Sequence, residues 1–109
     1  MKNDEKNRWL AEQAGWLLPD AGVQHGYPPG GLDCVALPDY PNSLDAIARD
    51  LLPLLREKGM DHEMRWLGDQ YRFLIWPSLE AIQALAICDS PEPARAAFEA
   101  IWQALGGEE

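Results

Sequence analysis

Residues Asp61–Trp76, DHEMRWLGDQYRFLIW, carry the strongest local signal in this 109-residue chain. Gly68-Asp69 is a glycine-first pair suited to a type II′ hairpin turn. It separates Asp61–Leu67 from Gln70–Trp76, two runs rich in aromatic residues of the kind that favour strands. The register this turn imposes sets Trp66 opposite Tyr71 and Met64 opposite Phe73. His62, Met64, Trp66, Tyr71, Phe73 and Ile75 then share one face. Glu63, Arg65, Leu67, Arg72, Leu74 and Trp76 share the other, which mixes charge with apolar groups. An apolar first face and a partly apolar second one together call for cover on both sides.

The flanking segments supply that cover. A first helix begins at Asn3 or Asp4, either able to cap free backbone N–H groups. Leu10, Ala14 and Leu17 form its stripe with Trp9 beside them, and Pro19 stops it. A second helix is capped by Asn42 or Ser43, with Asp45 in its first turn. Leu44, Ile47, Ala48, Leu51 and Leu55 make its apolar stripe, Pro53 bends it and Gly59 ends it. Within Ser78–Asp89, Leu79, Ile82 and Ala86 fit a helix while Ile82, Ala84, Ala86 and Cys88 fit a strand. Length and the missing glycine stop favour the strand. In the last helix Ser90 caps, Pro91 takes the first position and Glu92 follows. Ala94, Ala97, Phe98, Ile101, Trp102 and Leu105 repeat at helical spacing up to Gly106-Gly107. The reading is one α+β domain over residues 1–109. It is a three-layer α/β/α sandwich with an antiparallel sheet of three to four strands and about three helices.

Between the first two helices lies a long loop, residues 18–41, punctuated by Pro19, Gly22, Gly26, Pro28, Pro29, Gly30, Gly31, Pro38 and Pro41. A short strand near Asp33–Leu37 is the regular structure expected there. Connections of this length in a small domain are uncommon and are often functional. Its centre, His25–Cys34, reads HGYPPGGLDC. A phosphate-cradling loop needs GxxxxGK[ST] or GxGxxG, and neither occurs. No lysine lies between Lys6 and Lys58. A nucleophilic cysteine needs a base and an electropositive setting, whereas Cys34 follows Asp33 and the nearest histidine, His25, is across a turn. His25, Asp33, Cys34 and Asp39 match no recurring metal-site spacing. No cofactor is called for and no catalytic residue is assigned. Docking is the leading role for this loop. Trp16, expected at the frayed end of the first helix, His25, Tyr27, Asp33, Asp39 and Tyr40 are the candidate partner-binding residues, since surface Trp and Tyr are favoured interface anchors.

Composition narrows the partners. Eighteen acidic residues against nine basic ones give a net charge of −9. Such a surface repels phosphate backbones and anionic lipid, so direct nucleic-acid and membrane binding are disfavoured and a basic protein partner is favoured. Acidity that serves only solubility is the competing reading. Two cysteines, Cys34 and Cys88, are too few for a disulfide framework and suit reduced thiols in a cytoplasm. No apolar segment follows the polar start Met1–Lys6, so no signal peptide is expected.

The order of landmarks resembles the phage ABA sandwich domain family, small proteins of bacteriophages and prophages with a short antiparallel sheet between helices. The residues that carry it are NRWLAEQAGW at Asn7–Trp16, LPDYPNSLDAI at Leu37–Ile47, the aromatic hairpin, and ALAICDSPEPARAAFEAIWQALG at Ala84–Gly106. The chain departs from it in its proline-rich loop and in PEPARAAFEAIWQAL. The resemblance implies the sandwich fold and a phage accessory protein in a bacterial cytoplasm. With the charge, it implies a non-catalytic protein that binds another protein, in concrete form an acidic inhibitor of a host nucleic-acid-binding defence complex of the CRISPR type. The alternatives are a homodimer with a housekeeping role, associating through a sheet edge or a Trp-bearing surface, and a small cysteine- or metal-dependent enzyme.

Overall fold

The computed structural model describes residues 2–19, 23–78 and 80–106; Gly22, Leu79 and Gly107 of the patterns above lie outside them. The hairpin forms with the expected register. Strands β3 (Asp61–Trp66) and β4 (Tyr71–Trp76) pair antiparallel, Trp66 with Tyr71 and Met64 with Phe73. Gly68 takes a φ of +101° in the turn. The Trp66 and Tyr71 rings lie 4.8 Å apart across the strands, and His62 stacks on Phe73 at 5.7 Å. Strand β5 (Ala86–Ser90) adds to β4, completing a sheet of order β3-β4-β5. The strand reading of this segment holds for its last four residues, Ala86–Asp89. Ile82 and Ala84 precede the strand, and Ile82 is fully exposed.

Both helical segments before the hairpin end by the same device. Helix α1 (Asn3–Gln13) stops well before Pro19, because Gly15, at φ +101°, turns the chain back on itself. The Trp16 N–H donates to the Ala11 carbonyl (3.0 Å) and the Gly15 N–H to that of Glu12 (3.0 Å). This is a Schellman motif, which needs a residue tolerant of left-handed backbone. Met60 and Gly59 repeat it on Leu55 and Arg56. Leu17 therefore leaves the helical stripe and is exposed, while Asn7, Leu10 and Ala11 are the buried positions of α1. The α1 cap also differs from expectation. Lys2 holds the cap position, and its backbone N–H donates to Glu5 Oε1 (3.0 Å).

Ser43 caps α2 (Leu44–Asp50) through the Ala46 N–H (3.1 Å). Pro53 splits the expected long helix, which resumes as α3 (Leu52–Glu57). Ile47, Leu51 and Leu55 are fully buried, but Leu44 and Ala48 face outward. Helix α4 (Pro93–Gly106) starts two residues later than expected, with Pro93 and not Pro91 at its first position. Ser90 ends β5 instead, its Oγ accepting the Glu92 N–H (3.1 Å).

Helix α4 organises the core. Ala94, Ala96, Ala97, Phe98, Ala100, Ile101 and Trp102 are all buried, an arc well over half of its circumference at 100° per residue. It packs on β4 and β5, on α2 and on the 3₁₀ turn Tyr40–Asn42. Trp102 meets Trp9 of α1 edge to face at 5.2 Å, and Lys6 bridges to Glu99 (2.9 Å) over the same indole. The architecture is thus α+β. Helix α4 packs on one face of the sheet and also meets α2 and the 3₁₀ turn. The reverse sheet face carries the pairs Arg65–Glu63 (2.5 Å) and Arg72–Asp89 (2.9 Å), with Ile87 half exposed. Hydrogen bonds from Arg72 hold the Asp89 carboxyl below the usual range. Leu74, on the same face, is buried.

Phe98→Ala should lower unfolding free energy by about 3–5 kcal/mol, measured by urea titration. A loss below about 1 kcal/mol would mean that α4 is not the centre of the core.

A cleft between the proline-rich loop and the second helix

The long loop is more regular than its composition predicts. His25–Gly26 (β1) and Val35–Ala36 (β2) pair antiparallel, His25 with Ala36 and Gly26 with Val35. Leu17 and Tyr27 exchange both backbone hydrogen bonds, at 3.0 and 2.9 Å. The expected strand near Asp33–Leu37 is present as β2, and its partner β1 comes from within the quoted HGYPPGGLDC. Gly26 makes this possible, since a Cβ there would stand 2.7 Å from the Leu17 carbonyl oxygen. At the loop tip the Gly31 N–H closes on the Pro28 carbonyl (2.8 Å). Pro29 and Gly30 (φ +74°) fill the positions of a type II turn.

One helical side chain anchors the loop. Asn7, on the buried face of α1 and 5% exposed, donates through Nδ2 to Gln24 Oε1 (3.0 Å) and to the Pro38 carbonyl (2.8 Å). Its Oδ1 accepts the Tyr40 N–H (3.0 Å). Gln24 in turn donates to the Asp4 carbonyl (3.1 Å), and Arg8 donates to that of Val23. Three hydrogen bonds leave the buried carboxamide satisfied.

Between this anchored loop and α2 lies an open cleft of about 740 Å³. Pro28, Pro29, Val35, Ala36 and Pro38 form apolar walls, Trp16 is part of the lining, and Asp39, Ser43, Arg49 and Asp50 supply the polar groups. Asp50 is the best-held of these. Its Oδ2 accepts the Tyr40 hydroxyl (2.8 Å) and Arg49 Nη2 (2.9 Å), while Oδ1 accepts Arg49 Nε (2.7 Å). Burial alone would raise the Asp50 pKa. The hydrogen bonds from Arg49 and Tyr40 and the Arg49 charge outweigh it, so the carboxyl titrates below the usual 3.8. The Trp16 indole adds to that effect without reaching hydrogen-bond geometry. Burial, then the bond to Asp50 and its charge, push the Tyr40 phenol well up, so it stays a neutral donor.

The structure thus sorts the six expected docking residues. Trp16 and Asp39 line the cleft, although Trp16 is only 7% exposed, not at the surface. Tyr40 is fully buried and acts through Asp50, so it is a support and not a contact residue. The Schellman turn draws Trp16 inward, and the Asn7 bond draws in Tyr40. His25 and Asp33 are exposed and Tyr27 half-buried, and none of the three is among the cleft-lining residues. Arg49 and Asp50 were not singled out from the sequence; both sit on the polar side of α2, where a solvated ion pair is the ordinary expectation.

Among the described residues no three His, Cys, Asp or Glu side chains come together as a metal site. Cys34 is exposed and free, and Cys88 is half-buried, its thiol pushed up to about 11 by burial and by the Glu99 and Asp89 charges. No helix among these residues is long and apolar enough to cross a membrane. No protein-family model, curated protein or solved structure matches this chain.

Asn7→Leu, which leaves the Pro38 carbonyl and Tyr40 N–H buried without partners, should cost about 1–3 kcal/mol in denaturant titration. It should also speed amide exchange across residues 23–41; unchanged exchange there would remove Asn7 as the anchor. Tyr40→Phe should cost about 1–2 kcal/mol near neutral pH. Because the Asp50 pKa is depressed in the folded state, this contribution is present above about 3.8 and is lost as pH falls through the folded value. The gap between wild type and variant should therefore close in acid. A gap constant with pH would show that the phenol does not act on the ionised carboxylate.

Proposed function

We propose that this chain is a non-catalytic binding protein whose cleft receives a segment of a partner protein that carries a basic side chain beside an apolar one. One observation carries the reading: a rigidly held carboxylate, Asp50, shares an open cleft with the exposed Asp39 and with walls of proline, valine and alanine. Arg49 already satisfies both oxygens of Asp50, which leaves Asp39 as the carboxylate for an incoming cation. The apolar walls supply desolvated contact area, and prolines supply it with little side-chain entropy to lose. The net charge of −9 would speed the encounter with a basic partner.

In its fuller form the proposal makes the protein a phage or prophage accessory factor, acting in the bacterial cytoplasm on a host nucleic-acid-binding defence complex. The landmarks of the phage sandwich family support that origin, and the charge supports a partner surface that ordinarily holds nucleic acid.

The test is affinity capture from nuclease-treated bacterial lysate with wild type and Asp39→Lys side by side. A basic protein held by wild type, released as salt rises, and bound about tenfold more weakly by Asp39→Lys is the expected outcome. Equal capture by both would remove the cleft from the interaction, and a captured protein insensitive to salt would remove the electrostatic argument.

A further inference from the structure

Among the described residues the three-stranded sheet has two edge strands, β3 and β5, with no further strand paired to them, and they are not alike. Edge β3, DHEMRW, carries Asp61, Glu63 and Arg65 at alternate positions, the charged pattern that discourages strand addition. Edge β5, AICDS, has one charge, Asp89, and Arg72 of the neighbouring strand grips both its oxygens at 2.9 and 3.0 Å. On a molecule of net charge −9 this strand carries no unpaired charge of its own. Around it Leu85 and Ile87 are each half exposed and Ile82 is fully so.

The ladder shows which backbone groups the edge offers. The Leu67 N–H donates to the Gln70 carbonyl (2.8 Å), which makes these two a hydrogen-bonded pair. Antiparallel pairs alternate, so Arg72 and Leu74 direct their backbone groups to β3 and Tyr71, Phe73 and Ile75 direct theirs to β5. The partners of the latter are Ser90, Cys88 and Ala86. The Leu85 N–H reaching the Ile75 carbonyl (2.6 Å) agrees with this phase. Ile87 and Asp89 therefore turn their N–H and C=O groups outward.

We propose that this edge joins a second copy of the chain, β5 to β5 antiparallel about a two-fold axis at Cys88, into a continuous six-stranded sheet. That register uses every outward group of the strand. Ile87 of one copy faces Asp89 of the other as a hydrogen-bonded pair, twice, for four backbone bonds. Each Ile87 lies beside its counterpart's Arg72–Asp89 ion pair on the reverse sheet face. A second copy repels the first where acidic surfaces face each other, and it meets little repulsion at a strand whose one carboxylate is neutralised. The two Cys88 residues then form a non-hydrogen-bonded pair, with Cα atoms about 4.5 Å apart, inside the range that a disulfide spans.

Sedimentation of the full chain should give twice the 12.2 kDa chain mass, and the dimer should strengthen with salt as the mutual repulsion is screened. That salt dependence is opposite to the one expected for a basic partner at the cleft, so the two readings fail separately. Ile87→Pro removes an outward N–H without touching the β4 ladder and should leave a folded monomer by circular dichroism, whereas His62→Pro on the β3 edge should remain dimeric. A measurement independent of these variants is cross-linking in a Cys34→Ala chain with copper phenanthroline and air, the oxygen accepting the electrons and protons of both thiols. A disulfide dimer on a non-reducing gel, lost in Cys34→Ala/Cys88→Ala, is the expected result. A chain that stays at 12.2 kDa at all concentrations, or a dimer that Cys88 does not cross-link and Ile87→Pro does not dissociate, would overturn the proposal.

Discussion

The Asn7 carboxamide is the constraint on which the loop, the cleft and much of the core depend. A buried amide has two donors and an acceptor to satisfy, and each left unmade costs its full desolvation. Here its hydrogen bonds go to Gln24, Pro38 and Tyr40, which lie 17 to 33 positions from it in sequence and meet at one turn of α1. Fixing Pro38 and Tyr40 fixes the chain between them, and so the place of Asp39 on the cleft. It also sets the 3₁₀ turn Tyr40–Asn42 against α4. Residues 23–41, rich in glycine and proline, are held by one helix side chain at Gln24, just before β1, and at Pro38, just after β2.

A second polar link extends the first. Tyr40 enters the core with its ring fully buried, yet its hydroxyl emerges at Asp50 on the cleft side of α2. Asn7, Tyr40, Asp50 and Arg49 thus form a relay from the inside of α1 to the surface of α2. Each member is satisfied, and in a low-dielectric setting a satisfied network gains rigidity as well as energy. The consequence for binding is preorganisation: the cleft's carboxylates do not have to be ordered by the ligand.

The charges divide along the same lines. Arg72, Arg65 and Lys6 neutralise Asp89, Glu63 and Glu99 on the sheet and on the α1–α4 seam. Asp33, Asp39 and Asp45, on the loop and at the start of α2, are exposed. Of these three Asp39 lines the cleft, whereas the carboxylate of β5, Asp89, is paired.

Much of the fold was legible in the residues themselves. The turn pair Gly68-Asp69 determined the hairpin and its register, because side-chain alternation allows one phase once the turn is set. Ser43, Pro53 and Gly59 marked the cap, the break and the end of the second helical segment through local backbone chemistry alone. The ends of α1 and the start of α4 were less legible. Gly15 and Pro19 both offer a stop, as Pro91 and Pro93 both offer a start, and tertiary packing chose between them. A mixed strand face looks the same in sequence whether a helix covers it or ion pairs do, and the pairing of Arg72 with Asp89 is a tertiary contact. The site divides in the same way. The sequence by itself pointed to the proline-rich loop and to six residues, Trp16, His25, Tyr27, Asp33, Asp39 and Tyr40, of which Trp16 and Asp39 line the cleft. It could not tell that Tyr40 is buried or that Asn7 and Asp50 are its partners, since these bonds join residues ten to thirty-three positions apart. Patterns of turn and period are properties of neighbouring residues. Which polar group a buried donor finds is a property of the packed whole.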